Sequence, residues 1–339
     1  MISRASQEAE GRYVVLSDSR ETTTMVMAGP WRLRDELRAA GTVPQIVTGS
    51  RRCSSRAKGE PLDWWARDEF GGADYDHVVG FAAEESERRD RDRSYTRNAR
   101  QPRYPLIDDW GWDRERCEAY LLGQFGERWQ RSCCGFCPFQ APLTERVNLF
   151  ERWRREPAAA ELALRLEWSA VMFNPRMRLF GKLSCRNLLV RHGMADLVAD
   201  VEDRIAHEPW AVYDVRRAHV AALLDRDRPS APDNWHPRRK APVSPRDVRV
   251  LGTGSPADTT GWLLQQGGRE EGEHGVMRLW KRRAEGRPYP SREHFWVAGP
   301  LVAVPKRGPQ FARAWQHARE NELRHPRAVI EQLPLPLDA

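Results

Sequence analysis

The stretch YDHVVGFAAEE, residues 75–85, has the pattern of a buried strand that runs into a loop. Val78, Val79 and Phe81 form a short apolar run, and small or acidic residues follow it. Short apolar runs that end in polar turns are typical of strands. The segment RYVVLS, residues 12–17, has the same form. The sequence therefore predicts two strands in the first part of the chain.

Two further segments have helical patterns. PWRLRDELRAAG, residues 30–41, predicts a helix that Gly41 ends. DRERCEAYLLGQFG, residues 113–126, predicts a second helix with Asp113 as its N-cap. One face of this second helix is predicted to carry its largely apolar side chains, namely Cys117, Tyr120, Leu121, Gln124 and Phe125. The alternation of strands with helices favours an α/β domain with a parallel sheet.

The remainder of the chain divides into three regions. Residues 142–226 are mainly helical in pattern, as in AAAELALRLEWSAVMF and MADLVADVEDRIA. The Pro-rich, basic segment 227–247 predicts a linker. Residues 248–339 combine a strand-like HFWVAGPLVAVP with a helical QFARAWQHARENEL, which predicts a small α+β region of unassigned role. The α/β domain is thus expected to cover residues 1–141.

The composition is typical of a soluble protein. Of the 339 residues, 40% are apolar and 30% are charged, and the mean hydropathy is −0.72. No window approaches the ~18 consecutive apolar residues of a membrane span, so no membrane partner is expected. The N-terminal MISRASQEAEGR lacks the apolar core of a signal peptide. We therefore expect a cytoplasmic protein, in which clustered cysteines favour metal or redox chemistry over structural disulfides.

The charge of the chain is basic but not concentrated. The formal net charge is +7 and the pI is about 9.3, which would suit nucleic acid or a phosphorylated small molecule as partner. Acidic residues are nevertheless interleaved with the basic ones, as in EESERRDRDR at residues 84–93. Charge alone therefore leaves nucleic-acid binding open.

The segment RSCCGFCPF, residues 131–139, holds three of the six cysteines. Cys134 and Cys137 form a C-x-x-C pair, while Cys117 and Cys53 lie upstream. Four thiolates from separated segments can hold a tetrahedral zinc ion or an iron–sulfur cluster. The alternatives are a buried core thiol for Cys117 and a polar loop thiol for Cys53. A redox dithiol fits less well, because loop residues rather than a helix follow the pair.

Four segments of the chain, in order, resemble one protein family. They are SRRCSSRAKGEPLDWW (50–65), HVVGFAAEESERR (77–89), YPLIDDWGWDRERCEAYL (104–121) and RWQRSCCGFCPF (128–139). Together they resemble the phosphoadenosine-phosphosulfate (PAPS) reductase-like branch of the adenine nucleotide α-hydrolases. The resemblance implies an α/β fold with a partial doubly wound parallel sheet. It also implies that ATP or PAPS is used in sulfur transfer or adenylation-type chemistry, on a nucleic acid or a small sulfur substrate.

The resemblance also implies a cofactor. The family's cluster ligands correspond to four residues of this chain, namely Cys53, Cys117, Cys134 and Cys137. They are expected to hold a [4Fe–4S] cluster, with zinc as the alternative. Cys133 falls where the family has a small residue, so it is not expected to be a ligand.

Charged residues of the same motifs are candidates for the reaction. The resemblance places Lys58, Glu85 and Arg88 at catalytic positions and Arg52 at a cofactor-binding position. Lysine and arginine there could neutralise phosphate or sulfate oxygens. Ordinary surface charge is the alternative interpretation.

The family's phosphate loop, S-G-G-K-D-S, is not found in this chain. SDSRETTTM, residues 17–25, could be a degenerate copy in which Ser17 and Arg20 bind the cofactor. Asp18 and Ser19, however, replace both glycines, and a carboxylate would repel a triphosphate. Alternatively, this segment matches a later strand and loop of the family, and the phosphate loop is missing. The chain would then be a catalytically inactive or truncated relative with a structural four-cysteine metal site, which binds nucleic acid or a protein partner.

Tryptophans flank the cysteine motifs. They are Trp64, Trp65, Trp110, Trp112 and Trp129. Their rings could stack on an adenine or another base, or could pack around the cysteine site.

The C-terminal EQLPLPLDA resembles peptides that dock on the bacterial sliding clamp. The matching residues are Gln332, Leu335 and Leu337. If this match holds, the clamp is a partner and the protein works on DNA.

Overall fold

The computed structural model describes residues 2–5, 12–18, 20, 29–44, 52–94, 99–129, 134–140, 146–220, 244–284, 290–308 and 310–324. The chain forms two compact units. The first consists of residues 1–32 and 52–134, and the second of residues 33–51 and 135–339. Among the described helices, none has the length and apolarity needed to cross a bilayer. Most of the predicted linker and the predicted clamp-binding residues lie outside the described residues.

The described strands, in chain order, are β1 (Ile2–Arg4), β2 (Tyr13–Val15), β3 (Tyr75–Val78), β4 (Arg100–Arg103), β5 (Trp210–His219), β6 (Arg246–Gly254), β7 (Arg269–Glu271), β8 (Val276–Arg282), β9 (Ser291–Pro300) and β10 (Lys306–Arg307). The described α-helices are α1 (Leu33–Ala40), α2 (Arg52–Ser54), α3 (Glu60–Phe70), α4 (Ser86–Ser94), α5 (Pro105–Asp108), α6 (Arg114–Phe125), α7 (Arg146–Arg155), α8 (Pro157–Phe173), α9 (Cys185–Arg191), α10 (Ala195–Ala206), α11 (Pro256–Gln265) and α12 (Phe311–Arg324). A π-helical turn (Ser55–Gly59) joins α2 to α3, and 3₁₀ turns lie at Ala83–Glu85 and Pro138–Gln140.

The first unit contains two small sheets rather than one large one. β1 and β2 pair antiparallel, whereas β3 and β4 pair in parallel, with α4 in the connection between them. The predicted mixed α/β character is confirmed, but the predicted doubly wound parallel sheet is wrong. Strands of such a sheet are covered on both faces. Here alternate residues of β3 are exposed, and Val78 exposes 66% of its surface.

The second unit is built on a six-stranded antiparallel sheet in the order β10-β6-β5-β9-β8-β7. Its central strand β5 covers residues 210–219, which the sequence predicts to lie in a helical region. That expectation is wrong for this segment. Almost all of β5 is buried, and its buried residues include Asp214, Arg217 and His219. These charged residues interrupt the apolar pattern from which a buried strand is normally predicted.

Helix α8 forms the centre of the core of the second unit. Most of its residues from Ala160 to Phe173 are buried. The Phe173 ring packs edge-on against Tyr213 of β5, with ring centroids 5.1 Å apart. On β9, a β-carbon added to Gly299 would lie 2.4 Å from the Met172 sulfur. The helix therefore approaches the sheet at a distance that a side chain at this position would obstruct.

Several predicted helix ends are confirmed. Asp113 Oδ1 accepts the backbone N–H of Arg116 at 2.8 Å, so Asp113 is the N-cap of α6. Gly126 ends α6 with a φ of 72°, and Gly41 follows α1 with a φ of 51°. Both conformations lie in the left-handed region that favours glycine.

Gly41 gives the first testable prediction, because its site is both left-handed and crowded. A β-carbon there would lie 2.2 Å from the Phe173 ring of α8. Gly41→Ala should therefore lose about 1–2 kcal/mol from backbone conformation and a further ~1–3 kcal/mol from overpacking. Hydrogen exchange of the α8 amides would measure the loss.

Gly193→Ala is the matched control. Gly193 has a φ of 75°, but nothing lies within 4 Å of an added β-carbon. The Gly193→Ala variant should therefore lose only the ~1–2 kcal/mol that arises from backbone conformation. Equal losses in the two variants would contradict the crowding at Gly41.

Candidate functional site

A continuous helical segment, residues 52–70, positions the main candidate site in the first unit. It passes from α2 through the π-helical turn into α3, and Gly71 ends it with a φ of 56°. Lys58 lies in the last turn of the π-helical part and is exposed. π-Helical turns are rare and occur frequently at functional sites. The backbone conformation therefore indicates Lys58 as a candidate site residue, independently of any sequence motif.

Lys58 lines a cleft of about 580 Å³. The described lining residues all belong to the first unit and are Ile2, Val15, Ser17, Asp18, Arg20, Lys58, Leu62, Trp65, Glu69 and Phe70. Three residues predicted for cofactor binding or catalysis, Ser17, Arg20 and Lys58, are thus brought together. The volume lies within the ~300–1,000 Å³ that is usual for small-molecule sites.

The charges that line this cleft are mostly paired. Arg20 forms ion pairs of 2.5 Å with both Asp18 and Glu69. Hydrogen bonds from Arg20 lower the pKa of Asp18 to about 2, and those to Asp18 and Glu69 raise the pKa of Arg20. Lys58 forms no ion pair with any residue in the described ranges. The four charged lining residues therefore sum to zero, and within the described ranges Lys58 is the one that forms no ion pair.

One wall of the cleft is apolar. Trp65 contacts Phe70 edge-on at a centroid distance of 5.7 Å, and Leu62 and Val15 line the same cleft. Trp64, the neighbour of Trp65, does not line it in the described structure. Its ring instead lies 5.0 Å below the Arg4 guanidinium in a cation–π contact. Of the two adjacent tryptophans, Trp65 is therefore the one available to a ligand.

Two predicted catalytic residues lie in a different group of the first unit. Glu85 forms a short ion pair with Arg88, and it accepts the backbone N–H of Ala82 at 3.2 Å. Burial raises the pKa of Glu85, but the Ala82 amide and Arg88 outweigh this effect and lower it overall. The Arg88 guanidinium also lies 4.4 Å from the Phe81 ring centroid. Glu85 thus caps the 3₁₀ turn that precedes α4, and Arg88 of α4 pairs with it. Neither residue is among the described residues that line the cleft.

The predicted cluster cysteines have different surroundings. Cys53 in α2 and Cys117 in α6 are half-buried, and Cys134 is exposed. Cys137 is half-buried and belongs to the second unit. Burial is the main cause that raises the pKa of the Cys117 thiol. Within the described ranges, no three His, Cys, Asp or Glu side chains could together hold a metal ion.

The four-cysteine ligand set remains a prediction. Cys133 lies outside the described residues, and so does the side chain of Arg52.

Sequence reasoning did not identify Leu62, Glu69 or Phe70 as site residues. The signal was present in the spacing Lys58, Leu62, Trp65 and Glu69, which follows one face of a helix. The residues point into the cleft because a single helical segment carries them. A search for one face that combines an aromatic ring with a lysine would have found this set.

The predicted metal site gives the second testable prediction. Protein purified without oxygen should contain about four iron and four sulfide per chain if the four-cysteine set is right. Cys134→Ser should lose both, and Cys133→Ala should retain them because Cys133 is not a predicted ligand. One zinc without sulfide would indicate a structural site, and no metal in the unaltered chain would contradict the prediction.

No protein-family model, curated protein or solved structure matches this chain. The resemblance to PAPS reductase-like proteins therefore depends on the four quoted segments alone.

Proposed function

We propose that the cleft of the first unit binds an adenine nucleotide, ATP or PAPS, and that the protein is a PAPS reductase-like enzyme. On this proposal it acts in sulfur transfer or adenylation-type chemistry on a nucleic acid or a small sulfur substrate. The observation that carries the proposal is the grouping of Ser17, Arg20 and Lys58 with the Trp65 ring around one cleft. A phosphate-bearing aromatic ligand needs this combination of donors and a stacking surface.

Each lining group has a distinct role in this proposal. Lys58, which lacks an ion-pair partner among the described residues, would neutralise the phosphate oxygens near the reacting phosphorus. The Ser17 hydroxyl would donate a further hydrogen bond, and Trp65 would stack on the adenine. Arg20 would contact phosphate only in exchange for its bonds to Asp18 and Glu69. The cleft therefore favours recognition by Lys58 and Trp65 over recognition by Arg20.

Lys58→Ala gives the third testable prediction. Isothermal titration calorimetry with ATP should show binding weaker by roughly tenfold or more, because a charge-assisted contact to phosphate is lost. Lys182→Ala in the second unit removes the same charge and should leave the affinity unchanged. Unchanged ATP binding in Lys58→Ala would rule out phosphate recognition at this cleft.

A gain-of-binding variant sharpens the test. Glu69→Gln removes one of the two carboxylates that hold Arg20 and lowers the negative charge in the cleft. ATP should then bind more tightly, and the effect should shrink as salt is added, because exposed charges are screened. Weaker binding in Glu69→Gln would show that the carboxylate itself supports the ligand.

A second candidate function has its own supporting observation. Aromatic side chains on and beside α6 are more than half exposed, although the sequence predicts an apolar face there. Their exposed fractions are 57% for Trp110, 52% for Tyr120, 59% for Phe125 and 59% for Trp129. Unpaired bases stack on exposed aromatic rings of this kind. A catalytically inactive relative that binds single-stranded nucleic acid is therefore the alternative proposal.

The contacts within this aromatic surface suit stacking. Trp112 lies 5.5 Å from Trp110 and 5.3 Å from Tyr120, measured between ring centroids. The Arg116 guanidinium lies 5.1 Å from the Trp112 ring centroid. The basic residues of α6 are balanced by acidic ones in the same helix, so stacking rather than charge would carry the affinity.

Trp129→Ala gives the fourth testable prediction. Fluorescence anisotropy with a labelled oligothymidylate should show binding weaker by roughly fivefold or more, because one stacked base contributes ~1–3 kcal/mol. The dependence on salt should be shallow. Trp262→Ala, an exposed tryptophan of the second unit, is the control and should have no effect. A steep salt dependence with equal binding by both variants would contradict stacking on this surface.

A further inference from the structure

A second cavity lies within the second unit, beside β6 and β10. Its volume is about 260 Å³, and its walls are largely apolar, with Ala39, Phe173 and Val304 among them. Arg246 and Lys306 also line it, and none of its described lining residues is acidic. The cavity thus combines apolar walls with positive charge that its own lining does not balance.

Arg246 has partners within the described ranges, but none of those partners is a carboxylate. Its Nη1 donates to the carbonyl oxygen of Gly41 at 3.1 Å, and its guanidinium lies 5.3 Å from the Phe173 ring centroid. No carboxylate in the described part of the chain forms an ion pair with it. Burial, and to a smaller extent the charge of Arg217, lowers the pKa of Arg246 to about 10. Burying the Arg246 charge without a counterion from the described part of the chain therefore reduces the stability of the fold.

Other arginines of the same sheet do have counterions. Arg217, which is paired with Arg246 across β5 and β6, contacts Glu293 at 2.6 Å. Arg249 contacts Asp247 at 3.0 Å. The sheet therefore supplies carboxylates to neighbouring arginines but not to the one that faces the cavity. An anion from solution would supply the missing partner.

We propose that this cavity binds a small organic carboxylate. The planar guanidinium of Arg246 offers parallel N–H donors that match the two oxygens of a carboxylate. Lys306 lies at the exposed rim and adds a second charge. The apolar walls would cover a short hydrocarbon group. The volume is below the ~300–1,000 Å³ typical of drug-sized ligands, so the ligand is small.

Two kinds of anion can be told apart at this site. Inorganic phosphate would satisfy the charges but leave the apolar walls uncovered. Aliphatic carboxylates would satisfy both, so their affinity should rise by roughly fourfold for each added methylene until the cavity is full. This proposal is independent of the nucleotide proposed for the first unit.

The fifth testable prediction concerns binding of acetate, butyrate, hexanoate and inorganic phosphate to the full chain. Isothermal titration calorimetry at constant ionic strength should show one site, with hexanoate bound more tightly than acetate and phosphate. Lys306→Gln should weaken hexanoate binding severalfold. Val304→Asp should abolish it, because a negative charge in the cavity wall would repel the bound carboxylate. Val304 is 61% exposed, so the fold should accommodate the aspartate. Both substitutions are at exposed positions, so the fold should be retained.

Arg307→Gln is the matched control, because it removes a neighbouring exposed charge that is not among the described lining residues. Its hexanoate affinity should equal that of the unaltered chain. Absence of saturable hexanoate binding would overturn the proposal, and so would unchanged binding in Lys306→Gln and Val304→Asp. Phosphate that binds as tightly as hexanoate would overturn the assignment of a carboxylate.

Discussion

The packing of the second unit depends on one buried carboxylate, that of Glu167 in α8. Its oxygens accept the backbone N–H groups of Leu179 and Cys185, each at 2.8 Å. His274 Nε2 lies 3.2 Å from it, with both side chains fully buried. A buried carboxylate is tolerated only when its oxygens have such partners. Glu167 therefore joins the central helix to the start of α9 through hydrogen bonds and lies beside His274 of the turn between β7 and β8.

The need of buried charges for partners that are distant in sequence explains which parts of the fold could be predicted. Helix ends depend on local residues, so Asp113, Gly126 and Gly41 were sufficient to predict them. Strand β5 depends instead on distant partners for its buried charges. Arg217 is satisfied by Glu293 of β9, 76 positions later in the sequence. No local pattern shows that such a charge will be buried, and the direction of strand pairing has the same non-local origin.

The residues of the candidate site could be predicted from the sequence only in part. Ser17, Arg20 and Lys58 were singled out from motifs, and the fold places them around one cleft. Glu85 and Arg88 came from the same motifs, yet their contacts are those of a helix start. Charged residues in a motif do not show by themselves whether they will pair with each other or face a ligand. That outcome depends on backbone geometry, such as the π-helical turn that carries Lys58.

A cation without an ion-pair partner among the described residues, rather than a high local charge, indicates each of the two cavities as an anion-binding site. The chain carries 55 basic and 48 acidic residues, so its net charge of +7 says little about where an anion would bind. In the first unit Arg20 is held by Asp18 and Glu69, which leaves Lys58 to act on a ligand. In the second unit the Arg246 guanidinium contacts a carbonyl oxygen and an aromatic ring, and it contacts no carboxylate among the described residues. A charge already matched within the protein gains little from a ligand, whereas an unmatched and partly buried charge gains a counterion. The unmatched cation of each cavity and the apolar wall beside it should therefore determine which ligand that cavity binds.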